Sequence, residues 1–110
     1  MDLTPLIASD RMVIQAYGAD GFKISGASYD THVIVFPDRV ETWSGDIADL
    51  VPYKNELDVI LYGSGKTLKQ LLPVQKHGLH IEAMDTGAAC RTYNVLMAEG
   101  RRVAAALLKP

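Results

Sequence analysis

The sequence predicts an α/β domain with strands and hairpins in its first half and helical crossovers in its second. Three observations predict it. The chain has 110 residues, the span of one domain over 1–110, long enough to bury a core. Residues 11–43 are short β-rich runs punctuated by glycine and proline. From residue 58 onward, continuous apolar runs alternate with helical patterns, the rhythm of a β-α-β unit.

The first elements are 11–18 (RMVIQAYG) and 21–26 (GFKISG), strands bounded by glycine. In 32–43 (HVIVFPDRVETW), two β-rich runs flank Pro37-Asp38. Proline presets the backbone for the second position of a turn, so this segment is a hairpin. Asp46 caps a short helix that stops near Pro52. Residues 58–62 (DVILY) form an uninterrupted apolar strand, as expected where both faces are covered. Gly63-Ser64-Gly65 turns the chain into a helical stretch over 67–77, broken at Pro73, which opens a second short helix ended by Gly78. Residues 79–84 (LHIEAM) are the next strand. Asp85 or Thr86 then caps a long C-terminal helix. Its stripe is Ala89, Tyr93, Leu96, Gly100, Val103 and Leu107, at steps of three and four. Ala104–Ala106 favour a helix, and Gly100 marks close packing against the sheet.

Composition bounds the function. Nearly half the residues are apolar and 22% are charged, as in an ordinary soluble domain. The lone Cys90 excludes an internal disulfide and fits a reducing cytoplasm. No apolar run approaches the ~20 residues that span a bilayer, and MDLTPLIASDRM lacks the pattern of a signal peptide. A cytoplasmic protein without membrane insertion is expected. Residues 1–50 carry three Lys/Arg and eight Asp/Glu, and residues 51–110 carry eight and five. The second half is therefore the one suited to an acidic partner, although uneven charge is commonly just a solvated surface. The acidic total and the absence of a recognised reading module speak against nucleic acid.

Gly63-Ser64-Gly65-Lys66-Thr67 ends like a phosphate-binding P-loop. That motif needs a glycine five positions before Gly65, and Ile60 stands there. A strand-to-helix turn is the better reading. The turn can still matter. Strands 58–62 and 79–84, joined by a crossover, should be parallel, so the loops after them leave the same sheet edge. Helix N-termini there would expose N–H groups suited to an anion. Gly63, Ser64, Gly65, Lys66, Thr67, Asp85, Thr86, Gly87 and Arg91 are the residues this crevice would gather, where open α/β sheets bind ligands. Cys90 falls early in the last helix, where the dipole favours a thiolate, but no base is placed to activate it and a buried apolar role is the more common one. His32, His77 and His80 lack metal-ligand spacing, so no metal and no cofactor is expected. Trp43 and the five tyrosines belong to a core or to an adhesive patch.

The run MDTGAACRTYNVL (84–96), followed by Glu99-Gly100-Arg101, resembles a domain-of-unknown-function family numbered 498. Its eukaryotic members include a mitochondrial assembly factor for respiratory complex I and an adipogenesis-associated protein. Gly21-Phe22, the hairpin ending near Trp43 and the strand leading to Gly63-Ser64-Gly65 extend the resemblance over nearly the whole chain. It implies a three-layer α/β fold around a central mixed β-sheet, and it implies no established enzymatic activity or catalytic residue. The matching positions Gly63, Gly65, Thr86, Arg91, Thr92, Tyr93, Asn94, Glu99 and Arg101 are the candidates for a site.

Two functions are weighed. The first is a non-enzymatic accessory or assembly factor that binds protein through Arg91, Arg101 and Arg102 on the polar face of the last helix. The alternative is a small-ligand or anion-binding domain, catalytic or not, using Gly63, Ser64, Gly65, Lys66, Thr67, Thr86, Arg91, Tyr93 and Asn94.

Overall fold

The computed structural model describes residues 11–65 and 70–110. These residues form two sheets and one α-helix. The first sheet is an antiparallel meander of β1 (Ile14–Gly18), β2 (Gly21–Ile24) and β3 (Ala27–Tyr29). Ser25 and Gly26 join β2 to β3, both with positive φ (46° and 88°). That is the geometry of a tight two-residue hairpin turn, and glycine supplies half of it without strain. The strand expected over 21–26 is thus two elements, β2 and the turn that leads into β3.

The second sheet has five strands in the order β5-β4-β8-β6-β7. Here β4 is Val33–Val35, β5 Val40–Thr42, β6 Val59–Gly63, β7 Ile81–Met84 and β8 Val103–Leu107. β4 and β5 form the hairpin expected around Pro37-Asp38. β6 and β7 are parallel neighbours, as the crossover requires. β8 lies between β4, to which it is antiparallel, and β6, to which it is parallel. The sheet is therefore mixed.

The two faces of this sheet carry different layers. Val33, Val35, Val59, Leu61, Val103, Ala105 and Leu107 face a core shared with the first sheet and with helix α1 (Thr86–Ala98). Ile34, Phe36, Ile60, Tyr62, Ala104 and Ala106 face the opposite way, onto Trp43, Leu50 and Leu79. Both faces are covered, so these strands are buried throughout, and successive residues alternate between the two cores because they point to opposite faces. Two short 3₁₀ helices, Ile47–Tyr53 and Pro73–Lys76, accompany that second core. The first is capped by the Asp46 carboxylate, which accepts from Ala48 N–H at 2.9 Å.

Two expectations are corrected. The last helix does not run to the C-terminus. It ends at Ala98, and Gly100 with φ +78° turns the chain. Residues Val103–Leu107 then enter the centre of the sheet as β8. A glycine just past a helix end, in the left-handed region, is a stop signal, and Gly100 does that here rather than providing close packing. The crossover between β6 and β7 also differs. Residues 67–69 of the expected first helix lie outside the described residues, and 70–72 are not helical. Pro73 does open a short helix, a 3₁₀ turn closed by His77 in the left-handed region.

Helix α1 ties the two sheets together. The Asn94 side chain accepts from Ile14 N–H at 3.1 Å and donates to Ile14 C=O at 3.0 Å. Both groups are buried, so the carboxamide acts as one more rung for β1. Tyr93 donates its hydroxyl proton to the Met12 carbonyl at 2.8 Å. Asn94→Ala should therefore lower unfolding stability by about 1–3 kcal/mol, since both backbone groups of Ile14 lose their partner. Urea denaturation measures this, and a loss below about 0.5 kcal/mol would show that the rung is dispensable.

Candidate functional site

The loops after β6 and β7 do leave the same sheet edge, and they are stitched together. Gly65 N–H donates to the Thr86 hydroxyl at 2.9 Å, and Thr86 N–H donates to Gly65 C=O at 2.9 Å. Ser64 N–H donates to Met84 C=O at 3.0 Å. Asp85 caps α1 by accepting from Ala88 N–H at 2.9 Å. Gly63 lies beneath the helix. A side chain there would run into Leu107 at 2.8 Å and Ala89 at 3.3 Å. A Cβ there would crowd Ala89 and Thr86 of α1, so glycine eases the close crossing of α1 over β6.

A cavity of about 360 Å³ opens beside this stitch. Gly65, Asp85, Thr86 and Gly87 form one wall, and Tyr17, Gly18 and Ala19 form the other. The size suits a small organic ligand. The wall from the first sheet was not read from the sequence, because nothing local shows that the β1–β2 turn folds over α1. Gly87 is the contact point. A Cβ there would strike the Tyr17 hydroxyl and approach the Arg91 guanidinium at 3.1 Å.

The other candidates divide. Arg91 is exposed and flanks Gly87. Tyr93 and Asn94 are buried, and their polar atoms are spent on the backbone at Met12 and Ile14. They lie at the interface with β1, away from the cavity. Lys66 and Thr67 lie outside the described residues. Of the two helix N-termini expected at this edge, that of α1 opens there, and the start of the other falls on residues 66–69, outside the described residues. Cys90 is wholly buried, and burial pushes its thiol up to about 12. The thiol stays protonated at neutral pH, which favours the packing role over nucleophilic chemistry. Among the described residues no group of three His, Cys, Asp or Glu could hold a metal. No helix among them is long and apolar enough to cross a membrane.

The sequence puts Arg101 and Arg102 on the face of the last helix with Arg91. They instead lie beyond its end, in the loop to β8. About ten residues of chain, mostly helix at 1.5 Å per residue, separate them from Arg91, so the three do not form one patch. Arg102 pairs with Asp58 at 2.7 Å. Arg101 lines a groove of about 230 Å³ that also involves Arg11, Arg39 and Glu56. Arg39 is held firmly. It pairs with Asp38, Glu41 and Glu56 at 2.7–3.0 Å and lies 3.8 Å over the Phe36 ring. Its hydrogen bond, followed by one from Tyr53, holds the Glu41 carboxyl below the usual range. Arg11 and Arg101 are exposed and make no ion pair among the described residues. Arg11 was missed because its neighbours at the groove come from distant parts of the chain.

A family model described as a protein of unknown function (DUF498/DUF598) matches residues 14–108. An uncharacterized protein of Rhodobacter capsulatus is 35% identical over 102 residues, covering 86% of this chain and 82% of that relative. NADH dehydrogenase (ubiquinone) 1 alpha subcomplex assembly factor 3 of Xenopus tropicalis is 27% identical over 117 residues, covering 94% of this chain. The chain spans 64% of that assembly factor's length. A solution structure of a Bordetella pertussis protein, described as a Mth938-like domain, superposes with a TM-score of 0.76 at 29% identity, covering 98% of this chain and 92% of that one.

Proposed function

The chain belongs to the DUF498/DUF598 family, and on that premise we propose that it is a non-enzymatic, protein-binding accessory or assembly factor. The observation that carries the reading is the pair of exposed arginines, Arg11 and Arg101, beside one groove. Their neighbours Arg39 and Arg102 are already neutralised by carboxylates. Unpaired guanidinium groups at a groove suit an acidic segment of a partner, which they would bind by charge-assisted hydrogen bonds. The similarity to a named assembly factor supports the same reading. The buried, protonated Cys90 leaves no activated thiol to argue for an enzyme.

The test is capture of partners from native cells with the tagged protein, quantified by mass spectrometry. A double variant, Arg11→Glu with Arg101→Glu, should retain the fold and lose at least about tenfold of the captured partner, as expected when exposed charge complementarity is reversed. Unchanged capture by the folded variant would remove the arginine groove from the account.

A second reading, a small-ligand domain, is favoured by the cavity between Gly18 and Gly87. Gly18 has open space where a Cβ would stand and no positive φ. Gly18→Leu should therefore fold normally and occlude the cavity. A small molecule seen by native mass spectrometry on the wild-type protein should be lost from this variant. Retention by the variant would place the molecule elsewhere.

A further inference from the structure

Buried polar side chains among the described residues are paired within the fold. Thr86 bonds to Gly65, Asn94 to Ile14 and Tyr93 to Met12. The Trp43 indole N–H donates to Asp46 C=O at 3.0 Å. Tyr62 is the exception. It is 5% exposed and packs edge-on against Trp43, with ring centroids 6.2 Å apart. Its hydroxyl has no hydrogen-bond partner among the described residues, and burial alone raises its pKa. Phenylalanine would fill the same core position without that desolvation cost. Among the described residues no fully buried side-chain oxygen or nitrogen atom lacks a partner, so the Tyr62 hydroxyl, which has none there, emerges at the surface of the second core.

It emerges in a groove of about 660 Å³ between the Ser44–Ile47 turn and residues 70–77. The groove also holds Gln70, Gln75 and His77. Gln75 uses its carbonyl oxygen to accept from Leu72 N–H at 2.8 Å, which leaves its amide N–H groups uncommitted. Gln70 and His77 make no side-chain hydrogen bond among the described residues. Apart from the Tyr62 phenol, Asp46 and His77 are the ionisable groups of this lining, so it has no strong charge of either sign. Beside it, Leu72 and Val74 are 65% and 77% exposed.

We propose that this groove binds an extended, uncharged peptide segment of a partner protein, with the Tyr62 hydroxyl and the Gln70 and Gln75 carboxamides pairing to its backbone. The chemistry has a precedent within the fold: Asn94 pairs both backbone groups of Ile14 in the same manner. The exposed Leu72 and Val74 favour a peptide over a sugar, since apolar side chains flanking the bound backbone would cover them. The proposal rests on the protein-binding reading but not on the arginine groove, which involves different residues.

The experiment selects a phage-displayed library of random dodecapeptides on the wild-type protein and measures the enriched peptides by NMR titration and calorimetry. Enriched peptides should shift the resonances of Tyr62, Gln70 and His77. They should bind Tyr62→Phe about tenfold more weakly, the loss of roughly one hydrogen bond. Tyr62→Phe should melt at the wild-type temperature, since the fold loses no partner. Leu72→Ser with Val74→Ser, both on exposed positions, should also weaken binding. No enrichment over an empty carrier, or equal binding to Tyr62→Phe, would overturn the proposal. Tyr62-dependent binding of a neutral oligosaccharide, with no peptide enriched, would reassign the groove to sugars. The Arg11→Glu, Arg101→Glu protein serves as the control. Peptide binding intact in that protein, with partner capture lost, separates the two sites; loss of peptide binding there would overturn this placement.

Discussion

Everything in this fold is arranged around the return of the chain into the middle of its own sheet. β8 pairs with β4 on one side and β6 on the other, and all five of its residues are buried. A strand placed there must satisfy its backbone on both edges and pack on both faces. Ala104 and Ala106 meet the side of the sheet that carries Trp43 and Tyr62, while Val103, Ala105 and Leu107 meet the side that carries α1. The alanines are small because large neighbours crowd both faces, and a longer side chain would overpack them. α1 must reach this strand from β7 by passing over β6, and Gly63 is the residue that makes the passage close enough.

That constraint explains which parts of the fold are legible in the sequence. The β4–β5 hairpin is announced by Pro37-Asp38, the start of α1 by Asp85, and the parallel pair β6–β7 by two apolar runs joined by a crossover. The end of α1 is not legible in the same way. Ala104–Ala106 have the highest helix propensity of any residue type, and Val103 and Leu107 are four apart, which places them on one face of a helix and also on one face of a strand. Periodicity alone does not separate a short buried strand from a helix segment. Burial in the centre of the sheet overrides propensity, and Gly100, with its positive φ, is the residue that records the switch. β3 went unread for a simpler reason: Ser25-Gly26 is a two-residue turn inside what looks like the tail of a strand.

The sites follow the same division. The block Arg91-Thr92-Tyr93-Asn94 stands out in the sequence, yet its two most distinctive polar residues are used for building. Tyr93 and Asn94 anchor the first sheet to α1 through backbone groups about 80 positions away in the chain. Such long-range pairing leaves no local signal. Arg91 alone of that block stays near the cavity edge. Tyr62 carries a faint signal, a polar atom closing an otherwise apolar strand, but its lack of a partner among the described residues is a property of the folded surroundings. Arg11, Arg39 and Arg101 converge from three distant segments, and charge counts by halves of the chain could not bring them together.

The account stands or falls on residues 103–107 being the innermost strand of a cooperative sheet. Native-state hydrogen exchange followed by NMR tests this directly. Amides of β8 and of its neighbours in β6 should be among the slowest in the molecule, exchanging only through global unfolding, with a denaturant dependence equal to that of the whole protein. Exchange of 103–107 by local opening, faster than α1 and insensitive to denaturant, would mean that these residues are a loosely held terminus, and the central placement of β8 would be contradicted.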